Sequence, residues 1–174
     1  MFKEILPSEP RKWLSESQDE VGIFILRSMF ALLWLTQAGI KIVDRSNEPN
    51  MDFHGFLGDL IHMEESNPLG PVSYILRKFL IPYHDILIWL VLATELTIAM
   101  TLGLGLFTRL GSFIGILMSG MLWILTLGWG EWFWTYPLLL VPHVLFFLAR
   151  SGRNIGIDKM LVNRYENSIL ERIT

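Results

Sequence analysis

The chain has 174 residues, enough for one domain, and 52% of them are apolar and 13% aromatic, a composition that argues against a water-soluble protein. A formal net charge of −3 offers no basic surface for nucleic acid, and the absence of cysteine excludes disulfides, thiolate metal sites, iron–sulfur ligation and thiol redox chemistry. Charges crowd into residues 1–20, 44–85 and 150–174 and leave the intervening stretches nearly bare.

The first twenty residues hold Pro7, Pro10 and five acidic side chains and lack the apolar core of a signal peptide, so the first hydrophobic segment is expected to serve as an anchor. Residues 21–43 are interrupted only by Arg27, Gln37 and Lys41, and these 23 residues are enough to cross a hydrocarbon layer of about 30 Å. Ser17 and Glu20 have the spacing of a capping box, which predicts a first transmembrane helix over about 18–43. The connection 44–85 carries two apolar periodicities, Phe53, Phe56, Leu57, Leu60, Ile61 and Val72, Ile75, Leu76, Phe79, separated by the turn residues Asn67 to Pro71. Two short amphipathic helices on a membrane surface are the expectation.

From Ile86 to Gly128 runs a second apolar stretch of 43 residues, twice what one crossing needs. Gly103, Gly105 and Thr108-Arg109 divide it into helices over about 86–107 and 110–128. Residues 132–149 supply a fourth helix that contains Pro137 and Pro142, for which a kink is expected and not a break. Asp158 can cap a last amphipathic helix over 158–173. The fold class predicted is therefore all-α and integral to the membrane, a four-transmembrane-helix bundle with short amphipathic surface helices in a single domain. Nine lysines and arginines fall on the side of the termini and four on the other, which places both termini in the cytoplasm and the 44–85 loop outside.

Four side chains stand out for chemistry. Arg27 and Lys41 are 14 positions apart, within about 40° of one helix face and about 21 Å apart along the axis, and Trp34 and Ala38 share that face. Glu95 sits near the middle of the second crossing, where an unpaired charge costs about 3 kcal/mol on insertion scales, so it needs to be neutral, paired or wet. An Arg27–Glu95 pair would satisfy both residues and could fix helix register or handle substrate and protons. His143, beside Pro142, can ligate haem, bind a quinone carbonyl or hydrogen-bond a neighbouring helix. A bis-histidine haem would need a second histidine at membrane depth, whereas His54, His62 and His84 all fall in the loop. The spacing of His54, His62, Glu64 and Glu65 matches no metal-ligand pattern, so neither metal nor haem is expected. Gly111, Gly115 and Ser119 form a small-residue stripe for close helix packing, and Trp123, Trp129, Trp132 and Trp134 cluster as an interfacial belt.

Taken in order, Arg27 with Gly39-Ile40-Lys41, then Glu95 with the run Gly103 to Leu110, then Ser151 to Asp158, resemble the DoxX/DoxD family of four-helix membrane proteins. The long loop and overall length resemble its DoxD members, subunits of thiosulfate:quinone oxidoreductase. That resemblance implies joining of two thiosulfates to tetrathionate, with two electrons passed to a membrane quinone in a prokaryotic plasma membrane. It also implies a second, DoxA-like subunit or a larger respiratory complex as partner, alongside membrane lipids. Within it, Glu95, Arg27 and His143 are the expected catalytic residues, and Lys41, Arg45, Arg77 and Lys78 the cations for a dianionic substrate. Trp34 and Gln37 are the expected quinone contacts. Two other readings stand beside it: a non-catalytic DoxX-type scaffold or accessory subunit, and a small transporter or lipid-handling protein that uses the buried charges as a pathway.

Overall fold

A computed structural model of the protein describes residues 10–47, 54–130, 133–153 and 155–164, with side chains described from 19 to 42 and from 55 onward within those ranges. Among the described residues the secondary structure is entirely helical. Helix α1 spans Pro10–Asn47, α2 His54–Ser66 and α3 Gly70–Ile75, the last running into a π-helical turn over Leu76–Leu80. Helix α4 spans His84–Leu104, α5 Thr108–Leu125 and α6 Thr135–Ala149, and after a 3-10 turn at Ser151–Arg153 comes α7, Ile157–Arg164.

Three of these helices are long and apolar enough to cross a membrane: Asp19–Ile42 within α1, α4 and α5. Helix α6 is equally apolar but has 15 residues, about 22 Å at helical rise, less than one full crossing by itself. Pro137 lies in its first turn, where backbone N–H groups have no intrahelical acceptor anyway. The helix runs on through Pro142 without a break.

The start of α1 corrects the capping-box reading. The helix is already formed at Pro10 and passes through Ser17 and Glu20. A polar S-x-x-E spacing also suits a solvated helix face, and proline is at home in a first turn. The C-terminal helix is described only to Arg164, and the remainder of the 158–173 prediction lies outside the described residues.

Helix α1 lies along α4, α4 against α5 and α5 along α6, whereas α1 touches α6 only sparingly. One face of α1, in heptad order Arg27, Ala31, Trp34 and Ala38, is buried, with Lys41 half-buried at its end. The small-residue stripe on α5 does what its spacing predicts. A methyl on Gly111 would overlap the Thr101 side chain of α4, and one on Gly115 would stand 2.5 Å from His143 Nδ1 of α6. Close backbone approach on both sides of α5 therefore requires glycine there. The central core is Ala31, Trp34, Ile98, Ala99, Leu102, Met118 and Phe146.

The segment between α1 and α4 folds over one end of the bundle. Leu60 and Met63 of α2 and Leu76 of the π turn pack on Leu125 at the end of α5. Asn67 fixes this cover: its amide donates to the carbonyls of Ile124 and Leu125 at 2.9 and 3.0 Å, and its Oδ1 accepts from the Leu69 N–H. The α5 C-terminus thus finds a donor for carbonyls that no following turn satisfies.

Candidate functional site

The residues that sequence reasoning singled out divide into a lock at the α7 end of the bundle and a cavity at the α2 end. At the lock, Arg27 is 1% exposed and its guanidinium donates to Ser151 O at 2.8 Å and Ile155 O at 2.5 Å, holding the chain that leaves α6. Asp158 is fully buried, and its carboxylate accepts from the backbone N–H groups of Phe107 and Thr108, at 2.7 and 2.9 Å, and from Thr108 Oγ1 at 2.7 Å. Gly152 N donates to Thr108 Oγ1 at 3.1 Å, and Asp158 N to Gly105 O at 2.8 Å.

The sequence position of Asp158 predicts a cap for its own helix. Instead its side chain caps α5, whose preceding residue Phe107 has φ of 52° and no capping side chain of its own. A buried carboxylate at the positive end of α5 is stabilised by both its hydrogen bonds and the helix dipole. Gly105, with φ of 64°, abuts Gly156, which leaves no room for a side chain at either position.

The Arg27–Glu95 pair does not form. Glu95 is held by Lys41, whose Nζ lies 2.7 and 3.0 Å from the two carboxylate oxygens. Arg27 lies about 21 Å along α1 from Lys41, beyond the reach of any side chain, so the two cations serve different ends of the bundle.

The ion pair forms part of the wall of a cavity of about 630 Å³ enclosed by α1, α4, α5, α6 and the α2 cover. Phe30, Trp34, Gln37 and Lys41 of α1 line it, with Val91 and Glu95 of α4 and Met118 and Leu122 of α5. Phe56, Asp59, Leu60 and Met63 of α2 close one end, and Trp129, Tyr136 and Leu139 complete the far wall. The lining is mainly aliphatic and aromatic, with a few polar groups grouped near the α2 end. That distribution and size are usual for a site that holds one small organic molecule.

Trp34 is fixed from behind. Its indole N–H donates to His143 Nε2 at 2.9 Å, and the imidazole is caged edge-on by Phe30 and Phe146. Because Nε2 accepts, the proton of the neutral ring belongs on Nδ1, which faces Gly115 and has no hydrogen-bond partner among the described residues. His143 therefore stands one layer behind the cavity wall and orients the tryptophan that faces it.

Asp59 stands where the cover meets the cavity. Burial raises its carboxyl above the ordinary aspartate range, opposed by the positive potential of His62 and Lys41. The remaining expected cations lie elsewhere. Arg77 Nε donates to Glu64 Oε1 at 3.0 Å on the exposed side of the cover, Lys78 is exposed beside it, and the Arg45 side chain lies outside the described residues. Among the described residues no three His, Asp or Glu side chains converge as metal ligands do.

Of the residues named from the sequence, Trp34, Gln37, Lys41 and Glu95 are gathered in one cavity, Arg27 is placed in the lock, and His143 is placed behind Trp34. Asp59 and Tyr136 carry no expectation as ligand contacts from the sequence, whereas Trp129 belongs to the tryptophan cluster whose aromatic walls can also hold a quinone ring. The amphipathic pattern of α2 carried the only signal for Asp59, a carboxylate one residue from the apolar stripe. No protein-family model matches the chain, and no curated protein or solved structure is significantly similar to it.

Proposed function

We propose that the chain is a DoxX/DoxD-type protein of four membrane crossings, with α6 and its flanking aromatic residues as the fourth, both termini in the cytoplasm of a prokaryote, and a quinone site in the cavity. In this reading it is the membrane subunit of a DoxD-like thiosulfate:quinone oxidoreductase. The single observation that carries it is the cavity, in which Trp34, Gln37 and the Lys41–Glu95 pair meet among aromatic walls.

Its volume of about 630 Å³ suits a one- or two-ring quinone head, and the polar groups are few enough to orient a ring without excluding it. A quinone bound there accepts two electrons and two protons to become the quinol. Trp34, held by His143, offers a flat face for stacking, and Gln37 and Lys41 offer donors to a ring carbonyl. Glu95, released from or retained by Lys41, is the carboxyl placed to pass a proton.

Thiosulfate fits the cavity poorly. Lys41 is already neutralised by Glu95, and Asp59 adds a further carboxylate, so a dianion would meet no net positive charge. The oxidation of thiosulfate is therefore assigned to the outer surface or to a DoxA-like partner chain, with this subunit supplying the acceptor. A specific observation favours a second reading, an accessory subunit without activity of its own: Arg27 and the Ser151 to Asp158 segment, which carry much of the family resemblance, are spent on locking helix ends together.

Purified protein with its co-purifying chains, given thiosulfate and a soluble quinone, should reduce the quinone, and Glu95→Gln should slow that reduction. Unchanged thiosulfate-dependent reduction in the variant removes Glu95 from the reaction. A stable respiratory complex in which the chain is present and thiosulfate is inert supports the accessory reading.

A further inference from the structure

The cavity is closed along α4 and α5 and open in two places, at the exposed Asp59 of the α2 cover and between α1 and α6. On α4 and α5 its lining residues are buried or half-buried: Val91, Glu95, Met118, Leu122 and Leu125. On α1 and α6 several residues face the cavity and the outside at once. Leu33 is 39% exposed, Leu138 is 62% exposed, and Gln37 and Thr135 are exposed as well. A residue that lines a cavity and is also exposed stands at its mouth.

The apolar mouth lies in the seam between α1 and α6, which touch more sparingly than α1 with α4, α4 with α5 or α5 with α6. That seam is zipped shut on the α7 side by Trp34 against His143 and by Phe30 against His143 and Phe146. Beyond Trp34 it parts. Leu33 belongs to a membrane-crossing segment and Leu138 to the apolar helix beside it, so the opening faces hydrocarbon. The α2 cover, held by Asn67, lies over the end of the bundle, where the exposed Asp59 makes the opening polar, so the α1/α6 side is the apolar approach.

We propose that the cavity is loaded sideways from the bilayer through the α1/α6 seam, and that its ligand carries a single hydrocarbon tail which lies between Leu33 and Leu138 while its ring sits between Trp34 and the Lys41–Glu95 pair. The inference rests on the quinone reading of the cavity and adds to it a lipid portal and the part of the ligand that fills it. Leu33 and Leu138 act as specificity residues for the tail and leave the ring's contacts untouched. Depth agrees with this arrangement: Leu33 neighbours Trp34 in the chain, so a ring held at Trp34 has the leucine-lined part of the seam beside it.

The test compares two probes on the full-length protein in nanodiscs by equilibrium dialysis: 2,3-dimethoxy-5-methyl-1,4-benzoquinone, which has no tail, and its decyl derivative. The portal is narrowed with Leu33→Trp and Leu138→Trp, and Met100→Trp on an exposed face of α4 serves as control, since Met100 is exposed and neither it nor its chain neighbours line the cavity. Overfilling the seam should weaken binding of the decyl compound by about tenfold or more, with the tail-less ring and the control changed less than about twofold. A decyl derivative carrying a diazirine at the tail end should label α1 and α6 near Leu33 and Leu138. If the tail-less ring binds the native protein while narrowing the seam leaves decyl binding unchanged and the diazirine labels α4 or α5, the portal is overturned and the quinone site stands. If neither probe binds the native protein, the quinone reading itself falls.

Discussion

Lys41 Nζ contacts both carboxylate oxygens of Glu95, joining the far part of α1 to the middle of α4 in the wall of the cavity. The side chains are 23% and 5% exposed, so the pair is largely removed from water. Its mutual attraction is strong there, and so is the penalty for leaving either member alone.

Removing one partner should therefore cost more than removing both. Lys41→Met or Glu95→Leu alone is expected to destabilise the protein by about 3 to 5 kcal/mol, whereas the double substitution should recover most of that loss. Denaturant unfolding in one detergent, run as a double-mutant cycle, reads the coupling directly. Additive losses would mean that the two charges do not share one environment.

The lock at the opposite end predicts a different phenotype. Asp158→Ala leaves the N–H groups of Phe107 and Thr108 without their acceptor and should cost about 2 to 4 kcal/mol. It should also free the segment after α6, so that trypsin cleaves at Arg153 faster than in the native protein. Ligand binding in the cavity should survive, because no residue of the lock lines it.

Gly115 supports Trp34 through His143. A methyl group there would stand 2.5 to 2.7 Å from three atoms of the imidazole, so Gly115→Ala must push the ring away and disturb its bond to the indole. A loss of about 1 to 3 kcal/mol is expected, with a shifted indole N–H resonance for Trp34 in the spectrum of the folded protein. Gly120→Ala, whose new methyl would meet Leu140 Cδ1 at an ordinary 3.6 Å, should stay within about 0.5 kcal/mol.

Asp59 gives the cover a pH response whose sign is fixed. Its folded-state carboxyl titrates above the unfolded one, because burial outweighs the favourable potential of His62 and Lys41. The folded protein thus holds a proton that the unfolded chain has lost, and this contribution to stability is greatest at low pH. It declines as pH rises through a window that opens at the ordinary aspartate pKa of about 3.9 and extends upward. Glu95 and Lys41 also face this part of the cavity and are common to both proteins compared. Asp59→Asn should flatten the dependence in that window, as measured by unfolding across acidic pH. An identical slope would place Asp59 in water.

Much of the framework was legible in the amino-acid sequence, because apolar runs of 20 residues or so and their interrupting glycines report crossings with little competition from other signals. The heptad face of α1 was equally readable: Arg27, Trp34, Ala38 and Lys41 do face inward together. What periodicity could not supply was depth between helices. Glu95 was matched to Arg27 because both lie deep, yet the register of α1 against α4 brings Lys41 alongside instead, and a lysine four carbons long reaches inward from well above. Capping by Asp158 was assigned locally, whereas the carboxylate reaches 50 positions back in the chain to α5. A pattern of spacing identifies a cap; it does not say which helix receives it. The cavity itself arises from the sparse contact between α1 and α6, a relation between surfaces that no local motif encodes.

Occupation by a quinone ring of the cavity bounded by Trp34, Gln37 and the Lys41–Glu95 pair is the proposal on which the function rests. Its most direct test is equilibrium dialysis of 2,3-dimethoxy-5-methyl-1,4-benzoquinone against the native protein and against Leu122→Trp, which fills the cavity from the α5 side. Saturable binding at one site in the native protein, weakened by about tenfold or more in Leu122→Trp and unaltered in Asp158→Asn, is the predicted result. Absence of saturable binding to the native protein, or equal binding to native and cavity-filled forms, would contradict it.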